Sequence, residues 1–200
     1  MDTPLVYAYI PPDADGRHMA HRMTHGAIPA GDVMYSRKMR KLWSDHVWWT
    51  RQVIVSVFGG LGDVAVALAR LHKNQVHIGD HFGARYGRNV AMAVKAALKE
   101  HIDIASEIVL LLKGGTATPQ TLSDLQTAWD ANAMRIAGAL APLNRHWTYD
   151  ALLGHVREHL LLTSNEAIAR AQGKWADDLV NFDKILTQAL AIADVFSMPR

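Results

Sequence analysis

Residues 89–115, NVAMAVKAALKEHIDIASEIVLLLKGG, indicate the fold class of this chain. Apolar residues recur there at three- and four-residue spacing, and the stretch closes on Gly114 and Gly115. This period is that of an amphipathic α-helix, and a glycine pair is a common helix end. The same pattern runs from Arg37 almost to the end of the chain without an alternating, strand-like stretch. The sequence therefore predicts an all-α fold.

Glycines and prolines divide this helical pattern into about six segments. Thr118 followed by Pro119 is the clearest start, because threonine caps helices and proline favours the first helical position. Thr148 gives the fifth helix a similar start. Residues 82–87, FGARYG, are expected to form a loop after the second helix. The expected helices span roughly residues 37–58, 62–80, 89–113, 118–141, 148–171 and 173–196. They predict an antiparallel helical bundle over residues 37–200.

Residues 1–36 differ from the rest, because prolines and glycines interrupt every possible helix. They are predicted to form an irregular N-terminal arm. Within the arm, residues 17–25 (RHMAHRMTH) interleave histidine with methionine, and imidazole and thioether both suit copper. The alternative is a polar tract without a specific ligand. The arm is also a candidate contact for a protein partner or a second copy of the chain.

Composition excludes several classes of protein. The 200 residues contain no cysteine and 11 histidines, with a formal net charge of +2. Disulfide scaffolds, thiolate metal sites and cysteine nucleophiles are therefore ruled out. The small excess of basic residues gives no clear nucleic-acid signal. No phosphate-binding loop is present, so no nucleotide is expected.

No apolar run approaches the length of a membrane span. The N-terminus also lacks the basic start and apolar run of a signal peptide. These two observations favour a soluble protein in the cytoplasm.

Three short segments of the chain resemble one another: residues 45–50 (DHVWWT), 100–105 (EHIDIA) and 158–163 (EHLLLT). Each has an acid, a histidine, an aliphatic residue, and a small residue four positions after the histidine. Each lies on an odd-numbered helix. On even-numbered helices, Asn74 precedes His101 by the same interval by which Asn132 precedes His159. The chain is therefore predicted to consist of three helical-hairpin repeats.

The positions of these residues within their helices predict one polar layer. The histidines at 46, 101 and 159 each lie about 12 residues before a helix end, hence at a similar height in a bundle. Asn74, Asn132 and Asp183 lie about 10–14 residues after the start of their own antiparallel helices, at a comparable height.

Three imidazoles and a carboxylate in a bundle core indicate a metal site. The predicted ligands are His46, His101, His159 and Asp183. The residues expected around them, as hydrogen-bond partners or neighbours one to two turns away, are Asn74, Asn132, Thr50, Thr163 and Glu166. Imidazole without thiolate suits Zn, Fe, Cu or Ni.

A second hypothesis remains open at this point: a non-enzymatic structural or interaction protein in which the layer only fixes helix packing. Neither hypothesis specifies a reaction, so the sequence leaves catalysis undecided.

The chain also resembles a family of small uncharacterised all-helical proteins, mostly bacterial, which carry inconsistent labels such as glycosyltransferase and acetylglutamate kinase. The stretches that carry the resemblance are 42–51 (LWSDHVWWTR), 74–79, 86–87, 101–105, 159–167, 182–183 and 193–194. The resemblance covers about residues 41–195 and implies an all-helical bundle without a dependable activity. Where that family usually has tyrosine, this chain has Phe182, and the arm has no counterpart there.

Overall fold

A computed structural model describes residues 30–199, and every regular element in that range is helical. The predicted all-α class is confirmed. The elements are α1 (Ala30–Gly59), α2 (Val64–Tyr86), α3 (Arg88–Gly114), α4 (Pro119–Leu140), a 3₁₀ turn (Ala141–Leu143), α5 (Tyr149–Ala171) and α6 (Trp175–Phe196).

Two helix starts occur at the residues that the sequence indicated. The Thr118 side chain accepts a hydrogen bond from the Thr121 backbone N–H at 3.1 Å, directly before Pro119. The Thr148 side chain accepts one from Ala151 N–H at 3.2 Å. These bonds satisfy backbone donors that a helix leaves unpaired in its first turn. Both predicted caps are confirmed.

The predicted loop at residues 82–87 is wrong, because α2 continues through Tyr86 and turns only at Gly87, where φ is +94°. Gly83 lies within the helix and packs against α3. A Cβ at this position would lie 2.6 Å from the Cβ of Ala91. Gly83 therefore permits close helix packing, which the sequence pattern alone does not distinguish from a helix break.

The first helix begins at Ala30, so residues 30–36 are helical and the predicted arm is too long at its C-terminal end. Gly31 lies in the first turn, and glycine can adopt helical dihedral angles at a modest cost in backbone entropy. Tyr35 is buried, and Asp32 pairs with Arg85 at 2.5 Å, which ties this turn to α2. Residues 1–29, including the histidine and methionine tract, lie outside the described residues.

Each helix packs against the next one in sequence, and α6 packs against α1. The odd-numbered helices α1, α3 and α5 also contact one another. Buried apolar side chains form two clusters, one around Phe82, Trp147 and Phe196 and one around Ile54 and Val109. Among the described residues, no helix combines the length and apolar character needed to cross a membrane.

Candidate metal centre

Three histidines meet where the odd-numbered helices contact one another. His46 on α1, His101 on α3 and His159 on α5 are 2%, 5% and 4% exposed. One ligand nitrogen of each lies within 4.8 Å of the other two, and the ring centroids are 5.8–6.5 Å apart. The predicted convergence of these three residues, called here the histidine trio, is confirmed.

The helix lengths place the trio at one level. His46 and His101 lie equally far from the last residue of their helices, and His159 lies only a single position closer to the end of α5. At about 1.5 Å per residue, these positions differ by little along the helix axes. The residue after each histidine is buried and aliphatic. The trio therefore lies within the apolar interior.

A side-chain amide from the following helix accompanies each histidine. The amide NH₂ groups of Asn74, Asn132 and Gln188 donate to the backbone oxygens of Leu42, Ala97 and His155, at 3.0, 3.0 and 2.7 Å. In all three cases the accepting residue lies four positions before the histidine. The same contact therefore occurs three times in the chain.

This contact orients each amide. Because the NH₂ group donates to the backbone, the amide oxygen is the atom left for the imidazole. The Gln188 oxygen lies 3.3 Å from Nδ1 of His159. A carbonyl oxygen can only accept, so Nδ1 of His159 carries the proton and Nε2 keeps its lone pair. The Asn74 and Asn132 oxygens are buried without a hydrogen-bond partner among the described residues.

His101 has an additional contact. Trp129 Nε1–H donates to Nδ1 of His101 at 3.2 Å. Nδ1 therefore carries no proton in this arrangement, and the proton of the neutral ring is on Nε2. His101 and His159 consequently present different tautomers.

The histidines of the trio are neutral at physiological pH. Burial lowers the pKa of His46 to about 3 and that of His159 to about 4, and it lowers the pKa of His101 well below its ordinary value. Repulsion from His159 lowers the pKa of His46 and His101 further, whereas the neighbouring amides of Asn74 and Asn132 and the hydrogen bond with Gln188 oppose these shifts. Neutral imidazole is the form that binds metals.

The structure corrects the position expected for Asp183. Its side chain is exposed on α6, away from the buried trio, and within residues 30–199 no carboxylate joins the three histidines. Gln188, on the same helix, contacts His159 instead. Height along a helix does not determine the face, because each residue turns the helix by about 100°. The missed signal is that each histidine is followed, at a nearly constant interval, by the amide that accompanies it on the next helix.

Glu166 also departs from its expected place, because it belongs to a separate buried group. Arg51 donates to Glu166 at 2.6 Å and to Asp178 at 2.8 and 3.1 Å, and Arg170 donates to Asp178 at 3.0 Å. These four residues are called here the ionic cluster. Both carboxylates have side chains 1% exposed. Neither Asp178 nor Arg170 is among the site residues that the sequence pattern predicts.

The two carboxylates of the ionic cluster differ in pKa. Burial raises the pKa of Glu166 to about 7, although Arg51 and Arg170 act against it. Burial also acts to raise the pKa of Asp178, but hydrogen bonds from Arg51 and Arg170 hold it below its ordinary value. Asp178 therefore stays ionised to lower pH than Glu166 does.

Two cavities adjoin the histidine trio. One, of about 40 Å³, is lined by the trio, His155 and otherwise apolar or aromatic residues. The other, of about 30 Å³, includes the hydroxyl residues Thr50, Ser106, Thr163 and Ser164. They are called here the apolar cavity and the hydroxyl-lined cavity.

The two predicted threonines both line the hydroxyl-lined cavity, and they differ in hydrogen bonding. Thr50 Oγ1 donates to the His46 backbone oxygen at 2.9 Å. Thr163 Oγ1 is buried without a partner among the described residues.

Comparison with known proteins finds no matching family model and no significantly similar curated protein or solved structure. Function is therefore inferred from the geometry and chemistry of the site.

Proposed function

We propose that the chain binds one transition-metal ion through His46, His101 and His159. The observation that carries this proposal is the histidine trio itself: three buried, neutral imidazoles with ligand nitrogens within 4.8 Å of one another. Buried polar groups normally have a bonding partner. Because these three nitrogens converge on one another, a single metal ion could be the partner of all three.

The donor set limits the ion. Imidazole suits Zn, Fe, Cu or Ni and does not suit Ca or Mg. Three protein ligands leave at least one coordination position open, which is the arrangement of catalytic rather than structural zinc sites. With no carboxylate at the trio among residues 30–199, solvent or a substrate would take that position.

Binding requires a small contraction of the trio. Tetrahedral zinc with bonds of about 2.0–2.1 Å separates its nitrogen ligands by about 3.3 Å. In the structure these nitrogens lie up to 4.8 Å from one another, so side-chain movements of about 1 Å would bring them to the distances that zinc requires.

His101 must also change its proton position. Binding at Nε2 requires the proton to move to Nδ1, where it would replace the hydrogen bond from Trp129. Asn132, whose oxygen has no other partner among the described residues, is the acceptor available to that proton. The amides would then fix the tautomers of the ligands, as partners of metal-binding histidines commonly do.

The recurring amide contacts also support three helical-hairpin repeats, which we propose as the architecture of the domain. The same contacts favour a second candidate function. Each one joins neighbouring helices at a fixed level, so a trio without metal would serve to set helix register.

The experiment that separates the two functions is elemental analysis of protein purified without a histidine tag. We expect about one equivalent of metal and a higher melting temperature when Zn, Cu, Fe or Ni is added, because binding stabilises the folded state. Less than about 0.1 equivalent, with no change in melting temperature, would contradict metal binding.

Two variants make this test specific. His101→Ala should lose the metal, whereas replacing His18, His21 and His25 with Ala should leave one equivalent bound. The second variant removes the histidines of the N-terminal tract, which could otherwise bind copper independently. A loss of stability without loss of metal in His101→Ala would favour the register function.

A further inference from the structure

We propose that the apolar cavity is a binding site for a small uncharged molecule of two or three heavy atoms that carries a weak hydrogen-bond acceptor. Dioxygen belongs to this class. The proposal rests on the proposed function only where it places such a molecule beside a metal ion.

The size of the cavity sets the size of the ligand. One water-sized site needs about 10–15 Å³, so a volume of about 40 Å³ holds two or three heavy atoms. Larger metabolites do not fit without displacement of the core.

The lining of the cavity sets its polarity. Apart from histidines, it consists of aliphatic and aromatic side chains, among them Phe82, Leu140, Leu152, Ile192 and Phe196. Apolar cavities of this kind exclude water and bind apolar guests such as xenon. A charged or strongly hydrated ligand would lose its hydration there without compensation.

The indole N–H of Trp43 is the reason why the proposed ligand carries a hydrogen-bond acceptor. Trp43 lines the cavity, and its buried Nε1–H has no acceptor among residues 30–199. Its ring lies 5.6 Å from that of His46 in an edge-on arrangement. Because Nε1 is itself buried, a ligand oxygen in the cavity would satisfy this donor once a small shift of the indole ring opens it to the cavity.

The cavity also reaches the histidine trio and lies near the protein surface. All three histidines belong to its lining. Ala93 on α3 and Ala139 on α4 line it as well, and both are exposed. The geometry therefore points to a route between α3 and α4 that brings a small molecule to the histidines.

The first test uses xenon and nitrous oxide on metal-free protein, followed by methyl NMR. Both gases should shift the methyl resonances of Leu152 and Ile192, which line the cavity. Ala97→Leu, one turn before His101, should abolish these shifts by filling the cavity. Ala105, one turn after His101, lines the hydroxyl-lined cavity instead, so Ala105→Leu should preserve the methyl shifts. Absent shifts in the wild type, or equal shifts in Ala97→Leu, would overturn the proposal.

The second test addresses the indole donor. Trp43→Phe should lower the affinity for nitrous oxide about threefold and leave the affinity for xenon unchanged, because xenon accepts no hydrogen bond. Equal weakening of both gases would show that Trp43 contributes shape alone and would overturn the assigned acceptor.

The link to the metal is tested with nitric oxide on protein loaded with Fe(II). The wild type should give the electron paramagnetic resonance signal of an iron–nitrosyl complex, and Ala97→Leu should give less of it at equal iron content. An undiminished signal in that variant would show that the gas reaches the ion by another route. Failure to retain iron would contradict the metal proposal, while the xenon result would still decide the cavity.

Discussion

The histidine trio and the ionic cluster are both buried polar groups, but only the ionic cluster contains opposite charges that pair with each other. In the ionic cluster, two arginines and two carboxylates meet at 2.6–3.1 Å. In the trio, three neutral rings bring one ligand nitrogen each to within 4.8 Å of the other two. Opposite charges meet within the ionic cluster, whereas the trio brings together three neutral bases that a single cation could bind.

The largest effect is expected from breaking the ionic cluster. Arg51→Met leaves Glu166 and Asp178 without their shared cation, and removing one partner of a buried ion pair typically costs about 3–5 kcal/mol. Chemical denaturation measures this loss. Metal content should not change if the cluster and the trio are independent.

The matched control for Arg51 is Arg40→Met. Arg40 pairs with Asp194 at 2.6 Å, but both side chains are largely exposed, so the expected loss is below about 1 kcal/mol. Equal losses in the two variants would show that burial of the ionic cluster has no energetic consequence.

The next effect concerns the amides of the trio. Gln188→Leu removes the acceptor for the Nδ1–H of His159. This change should lower the affinity for zinc about 10- to 100-fold, as loss of such hydrogen-bond partners does in other metal sites. Competition with a chelator measures the affinity. Asp183→Asn, on the same helix, should leave it unchanged because Asp183 is exposed. A loss of affinity in Asp183→Asn would restore Asp183 as a ligand.

The third prediction is a pH dependence of the metal-free protein. The folded-state pKa of each histidine in the trio lies below its ordinary 6.5, so the contribution of these histidines to stability is complete above pH 6.5 and is lost as the pH falls below it. Each group contributes roughly 1.4 kcal/mol per pH unit within its window. Burial of His81 lowers its pKa in the same direction.

Glu166 acts in the opposite sense. Its folded-state pKa of about 7 lies above its ordinary 4.5, so stability is gained as the pH falls from 7 to 4.5. Glu166→Gln should therefore steepen the loss of stability by roughly 1.4 kcal/mol per pH unit in that window. Urea unfolding at several pH values measures the slopes. Identical slopes in the two proteins would contradict the raised pKa of Glu166.

The smallest effect is expected at the two threonines. Thr50→Val removes a hydrogen bond to a backbone oxygen, whereas Thr163→Val removes a hydroxyl that has no partner among the described residues. Without metal, Thr163→Val should be neutral or slightly stabilising, and Thr50→Val should cost about 1 kcal/mol. Thermal unfolding of both variants measures the difference.

The comparison also shows what the sequence could reveal. Local spacing along the chain predicts the helix starts at Thr118 and Thr148 and the common level of the trio. Each of these features depends on residues that are close together in the sequence. The ionic cluster unites α1, α5 and α6 through contacts between residues far apart in the chain, and Arg51 alone gives no sign of such partners. Height along the helix alone predicts Asp183, whereas packing determines which face of α6 meets α5. Gln188 occupies that face.

The central claim is tested most directly by X-ray absorption of the zinc-loaded protein in which His18, His21 and His25 are replaced by Ala. Three imidazole nitrogens and one oxygen are expected at about 2.0–2.1 Å from the ion. The same measurement on His101→Ala should show loss of the site. Fewer than three imidazoles in the parent protein, or no retained zinc, would contradict the account.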